Sequence, residues 1–159
     1  MPAFPDAEYN ARLTKTRAEM ERRKLDVLLI TDPANMNYLT GYDAWSFYVP
    51  QAVIVPLADE PPIWVGRGMD ATSAVITTSL PKDRILGYAD DYVESTTKHP
   101  MQYVASVLAD RGHARGRIGG EMDAYYFSAR VLEALRESLP GAEFPAAYLR
   151  VAWDRPVQP

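Results

Sequence analysis

Apolar residues recur along this chain at two spacings, and the two alternate from one end to the other. From Asp6 to Arg23, Tyr9, Leu13 and Met20 fall on one helical face with charges opposite, which predicts an amphipathic helix with Asp6 available as its cap. The run Asp26 to Thr31, DVLLIT, is short and almost wholly apolar, as expected of a strand covered on both faces. Asp32-Pro33 then supplies a cap and a first-turn proline for a short helix ending near Gly41. Gln51 to Leu57 and Pro62 to Val65 predict two strands joined by the turn ADEP, a hairpin, with Pro50 and Pro56 suited to strand ends or an edge.

The second half repeats the alternation. Gly66-Arg67-Gly68 leads into a helix predicted over Met69 to Thr77, and Arg84 to Tyr88 reads as a fourth strand. Pro100 to Arg111 is a better-marked helix, with a first-turn proline, Val104, Val107 and Leu108 inward, and Gly112 to stop it. Arg117 to Glu121, RIGGE, predicts a short strand. The helix expected from Asp123 carries the clearest apolar face, Phe127, Val131, Leu132, Leu135 and Leu139, and Pro140-Gly141 ends it. A last strand is expected near Glu143 to Tyr148. Short apolar strands alternating with helices argue for an α/β fold, a three-layer α/β/α domain, and the hairpin makes its sheet mixed. Residues 1–148 are expected to form that domain, and 149–159, which lose periodicity and end on two prolines, to begin a linker.

Composition narrows the function classes. A chain of 159 residues with 47% hydrophobic and 24% charged residues has the make-up of one globular domain, so disorder and fibrous repeats are set aside. A net charge of -4 with no basic stripe argues against nucleic acid as a partner. No apolar run approaches the roughly 20 residues of a membrane-spanning helix, and MPAFPDAEYN lacks a signal pattern, so a cytoplasmic protein without a membrane partner is expected. The absence of cysteine excludes disulfide scaffolding and thiolate nucleophiles.

Candidate chemistry is sparse. Neither His99 nor His113 sits in H-E-x-x-H spacing. His99, directly before Pro100, reads as a helix-start residue in preference to a metal ligand, and His113 lies in the Arg-rich turn RGHARGR. Asp90, Asp91 and Glu94 form an acidic cluster after the fourth strand, and a solvated loop is favoured over a cation site. Gly66-x-Gly68 lacks the rest of a phosphate loop, and Ser46 is not in G-x-S-x-G. The segment GYDAWSFYVPQ, 41–51, stands out: Tyr42, Trp45, Phe47 and Tyr48 lie within it, either as ordinary core or as an aromatic surface kept for a ligand or partner.

The stretch DPANMNYLTGY, 32–42, resembles the strand-to-helix signature, in outline DP.N..YLTGY, of N-terminal domains in the creatinase, prolidase and aminopeptidase P family. WSFYV, IWVGRGMDA, GYADDYVESTTKHPM and GGEMDAYYFSA are most similar to the ectoine hydrolase branch, so the resemblance runs over nearly the whole chain. The tail VAWDRPVQP departs from the basic R.VKSP pattern at that family's domain junction. The resemblance implies a two-domain homodimeric hydrolase whose C-terminal "pita-bread" domain binds two divalent metal ions, of manganese or zinc type, through Asp, His and Glu. No cofactor is expected in this chain, which is expected to be inactive alone and to have the C-terminal catalytic domain, a second subunit and a small-molecule or dipeptide substrate as partners. By the same resemblance Trp45, Phe47 and Tyr48 are expected to close the partner subunit's substrate pocket, with Arg67 and Asp70 as support. The alternative is a stand-alone α/β ligand-binding or protein-interaction module.

Overall fold

The computed structural model describes residues 1–147. Five strands, β1 (Val27–Ile30), β2 (Ala52–Pro56), β3 (Ile63–Arg67), β4 (Ile85–Tyr88) and β5 (Ile118–Gly120), form one sheet in the order β4-β3-β2-β1-β5. The hairpin pairs β2 with β3 antiparallel, and β2 is also antiparallel to β1, whereas β1–β5 and β3–β4 are parallel. The sheet is therefore mixed, as the hairpin predicts.

Because successive strand residues point to opposite faces, the continuous apolar runs supply two cores at once. Val27, Leu29, Ala52, Ile54, Ile63 and Val65 face one side and share a core with α4 (Pro100–Asp110) and α5 (Ala129–Ser138), through Val104, Leu108, Val131 and Leu135. Leu28, Ile30, Val53, Val55 and Trp64 face the other, against α1 (Asp6–Arg22), α2 (Pro33–Thr40) and α3 (Ala71–Thr77), through Leu13, Met20, Met36, Leu39 and Ala74. Burying each such large side chain contributes roughly 1.5–3 kcal/mol, so the two faces together supply the main driving force for the three layers.

The junction of β1 with α2 is fixed by side-chain bonds from both sides. Asp32 Oδ1 accepts from the amides of Ala34 (2.9 Å) and Asn35 (3.1 Å), and Pro33 occupies the first turn, where no N–H is needed. Gly41 ends the helix at φ +80°, and a Cβ there would lie 2.7 Å from the Tyr9 hydroxyl, so both conformation and space call for glycine. Glu121, just past β5 and 3% exposed, reaches across to this junction. Its Oε2 accepts from the amides of Thr31 (2.7 Å) and Asp32 (2.8 Å), and its Oε1 from the Asn35 side-chain amide (2.6 Å). Burial pushes the Glu121 carboxyl above its ordinary value, and the three donors pull it back only in part. Arg12 ties α1 to the other end of α2: its guanidinium lies 4.5 Å from the rings of both Phe4 and Tyr38 and donates to the Tyr38 carbonyl at 2.9 Å.

Four details differ from the sequence reading. Asp6 does not cap α1. Pro5 holds the cap position without a side-chain bond, and Asp6 is the first helical residue, where its charge meets the positive end of the helix. The helix expected from Met69 begins as a 3-10 turn over Gly68–Asp70, and α3 starts at Ala71. The last helix starts at Ala129, with Ser128 as cap (Oγ to Val131 N, 3.3 Å), rather than at Asp123. Phe127 explains the delay: it turns inward against Gly120, where a Cβ would lie 2.8 Å from the ring, so residues 121–127 wrap as turns. Glu143 to Ala147 runs beside β5 as two isolated parallel bridges rather than a strand, because Pro145 has no N–H for the ladder. Tyr148 and the expected linker 149–159 lie outside the described residues.

His99 behaves as the sequence reading expects. Its Nδ1 accepts from Met101 N (3.1 Å) while Gln102 Oε1 accepts from His99 N (3.1 Å), a reciprocal cap on α4. Burial first, and the Arg130 charge second, hold its pKa below the ordinary value.

Two outcomes are expected. Glu121→Ala removes the acceptor of three buried donors and should cost about 3 kcal/mol or more in urea unfolding, whereas Glu121→Gln, rescued by a turned Asn35 amide, should cost roughly 1 kcal/mol. His99 is neutral in the fold and binds its proton more readily when unfolded, so its contribution is complete above about pH 6.5 and is lost as pH falls through its lowered folded value. Thermal midpoints of His99→Asn, which caps without titrating, should therefore fall less steeply than wild type between about pH 6.5 and 5.

Candidate functional site

The strand ends of one sheet edge collect every irregular segment of interest. The carboxyl ends of β1, β3, β4 and β5 and the amino end of β2 lie together, because β2 alone runs against the others. From this edge α2 leaves β1 toward one face of the sheet, while α5, which follows the parallel neighbour β5, covers the other. Two parallel neighbours whose helices part to opposite faces leave a crevice between them, the place where open α/β sheets bind ligands. A groove of 390 Å³ occupies it, bounded by the segment 43–50, the β4–α4 connection around 92–100, and the turn 125–128.

The aromatic segment divides in two. Tyr42 is 1% exposed and packs on Trp64 (centroids 5.4 Å apart), and burial pushes its phenol up to about 12, so it stays neutral. Trp45, Phe47 and Tyr48 are 57%, 70% and 62% exposed and line the groove. The segment is thus core at Tyr42 and exposed aromatic surface at Trp45, Phe47 and Tyr48. The segment is fixed at its ends: the Asn37 side-chain amide donates to the Tyr42 carbonyl (3.2 Å), Val49 is buried, and the Tyr88 hydroxyl donates to the Pro50 carbonyl (2.6 Å).

Trp45 also touches residues that sequence reasoning assigned elsewhere. It makes edge-on contacts with Phe47 (5.8 Å) and Tyr126 (6.5 Å), and Tyr126 in turn with Tyr125 (5.3 Å). The Tyr125-Tyr126 pair was obscured by the expectation of a helix from Asp123, which would have spread the two rings around its circumference; the turn directs both to the groove. Glu94, Lys98 and His99 complete its charged and polar margin.

Arg67 and Asp70 brace the edge of this site and are not part of its lining. Arg67 holds Asp90 by two bonds, Nε to Oδ1 (2.7 Å) and Nη2 to Oδ2 (3.0 Å), which ties the end of β3 to the β4–α4 connection. The pairing raises the guanidinium pKa further and lowers that of the Asp90 carboxyl. Asp70 accepts from Gln51 Nε2 (3.2 Å), joining the start of α3 to the end of the aromatic segment.

Three polar side chains of the groove are engaged in holding backbone. Ser95 Oγ accepts from Thr97 N and Lys98 N, Ser128 Oγ from Val131 N, and His99 Nδ1 from Met101 N. Among the described residues no three His, Cys, Asp or Glu side chains come together as a metal-binding set. In the acidic cluster, Asp90 is taken by Arg67 and Asp91 by Lys98. The two divalent ions that the resemblance implies therefore find no ligand set among these residues. The groove has the volume and the aromatic lining to receive a small molecule. Among the described residues no helix is long and apolar enough to cross a membrane.

The chain is 48% identical over 156 residues to the protein named ectoine hydrolase in Halomonas elongata, and 45% identical over 152 residues to a hydrolase/peptidase of Sinorhizobium fredii. These matches cover 98% and 96% of the chain and 39% of each relative, so the chain spans about two-fifths of their length. A proline dipeptidase from Streptococcus pneumoniae has the same fold, with a TM-score of 0.70 at 24% identity over 92% of this chain and 98% of that one. Dipeptidase PepE of Mycobacterium ulcerans superposes with a TM-score of 0.71 at 24% identity over 98% of this chain and 38% of its own. With the Creatinase/Prolidase N-terminal domain family matched over residues 12–157, the chain belongs to that family.

Proposed function

We propose that this chain is the substrate-shaping, non-catalytic part of a metal-dependent C–N hydrolase, which it serves by building a homodimer and by closing the partner subunit's pocket with Trp45, Phe47 and Tyr48. The observation that carries this reading is the exposure of those three rings, 57–70%, on a segment anchored at both ends in the core. Leaving three large rings in water forgoes several kcal/mol of burial, a cost that a surface normally carries only where another surface covers it. A further domain would supply the two metal ions, of manganese or zinc type, and the residues that hold them.

Within such an assembly the rings exclude water from the scissile amide and offer their faces to a cationic or amidine-like substrate. The likeness to a protein named ectoine hydrolase supports a small cyclic amidine as one substrate, and the fold shared with dipeptidases supports Xaa-Pro dipeptides as the other class to try. Arg67 and Asp70 hold the segment's surroundings in place through Asp90 and Gln51. The preformed groove favours a second reading, a stand-alone ligand-binding module, which differs in needing no second domain to act.

Hydrolysis of ectoine and of an Xaa-Pro dipeptide, with manganese or zinc added, separates the readings. The 159-residue chain should be inactive and the protein extended through its downstream coding sequence active; turnover by the short chain alone would overturn the proposal. Closure in trans has its own test in mixed dimers of the extended protein. A subunit carrying Trp45→Ala, Phe47→Ala and Tyr48→Ala should lose about a hundredfold in kcat/KM. Mixed with a subunit lacking a metal ligand, it should regain about a quarter of wild-type activity, since half the dimers then hold one complete site. No recovery would mean that the loop serves its own subunit.

A further inference from the structure

Of the three acids between β4 and α4, two are committed. Asp90 is bound by Arg67 and Asp91 by Lys98. Glu94 is exposed and makes no hydrogen bond or ion pair among the described residues, yet it lines the groove with Trp45, Phe47 and Tyr48. Its backbone lies at φ +49°, a conformation that a glycine adopts at lower cost. It is held there between the 3-10 turn Asp90–Tyr92 and the turn closed by Ser95 Oγ on Thr97 N (3.2 Å) and Lys98 N (3.0 Å). A charged residue kept in a strained backbone at the rim of a cavity points to a use for its charge.

The other charged groups of the groove balance one another. Lys98 is neutralised by Asp91, and its ammonium lies 5.0 Å from the Tyr92 ring. His99 is held in its neutral form, and the first turns of α4 and α5 are capped by His99 and Ser128. What remains uncompensated is one carboxylate among aromatic faces. Ring faces and a carboxylate both attract positive charge, and apolar walls strengthen that attraction relative to water. A flat cation with delocalised charge is more weakly hydrated than a compact ammonium, so it gives up less in entering such a place.

We propose that Glu94 is the counter-ion of the aromatic groove, which takes a small planar organic cation of the amidinium or guanidinium class, the charged end at Glu94 and the body against Trp45, Phe47 and Tyr48. This deepens the proposed function and rests on it only for the claim that the bound molecule is what a catalytic domain acts on. Glu94 then selects substrate by charge and takes no part in bond cleavage.

The test is a titration of the 159-residue chain with acetamidinium and with its neutral isostere acetamide, followed by NMR of the Trp45 indole N–H, assigned by its loss in Trp45→Phe. Acetamidinium should shift the signal saturably and acetamide more weakly. Glu94→Gln should weaken acetamidinium binding about fivefold and leave acetamide unchanged. Glu94→Gly should weaken it similarly while its thermal midpoint is equal to or above wild type, which separates the lost charge from any loss of fold. Asp110→Asn, an exposed acid outside the groove lining, should bind as wild type does. Equal affinity for the two probes, wild-type binding by Glu94→Gln, or no saturable shift would each overturn the proposal and leave closure in trans to stand on the mixed dimers. Charge-selective binding without recovery in mixed dimers would keep Glu94 as counter-ion and remove closure in trans.

Discussion

The buried carboxylate of Glu121 fixes the geometry on which the groove depends. One side chain at the end of β5 accepts from two backbone amides at the end of β1 and from the Asn35 amide on α2. Those contacts lock together two parallel neighbours at the point where their helices part. An apolar residue at 121 would leave the donors facing a void, and an exposed acid could not set the spacing. The cost of burying the charge shows in its raised pKa, and it is offset by three close donors rather than by a cation. Such a site tolerates little relaxation, which suits a junction that must hold the walls of a cavity apart.

Around that junction the site is assembled from three connections distant in sequence. The aromatic segment brings hydrophobic faces, the β4–α4 connection brings charge, and the turn after β5 brings two further rings. Each is held by hydrogen bonds from serine, histidine or tyrosine, and Ser95, His99 and Ser128 both brace the backbone and line the cavity. Arg67 works in the same way, at one remove, by pinning Asp90.

Most of the fold was legible because its signals are local. The apolar run VLLI, the Asp32-Pro33 cap and Gly41 stop, the hairpin turn, and Pro100 with Gly112 each act within a few residues, and each element stands where they put it. The departures share a different cause. Asp123 to Phe127 carries a helical apolar spacing, but Phe127 is claimed by Gly120 from another strand, and Pro145 breaks a ladder whose partner is β5. Tertiary packing decided both. In the site, the exposure of Trp45, Phe47 and Tyr48 could be entertained from composition, whereas their contact with Tyr126, the distinction between Glu94 and its paired neighbours, and the role of Glu121 exist only once strands far apart in sequence are adjacent.

The partition of the aromatic segment separates two demands that usually compete within one loop. Tyr42, Val49 and Pro50 fix the segment to the domain, while Trp45, Phe47 and Tyr48 between them contribute little to folding because they remain in water. Substitutions at the tip are therefore nearly free of a stability penalty. The chemistry of the tip can drift over evolutionary time while the scaffold stays fixed, so that what the domain presents to its surroundings changes without passing through an unfoldable intermediate.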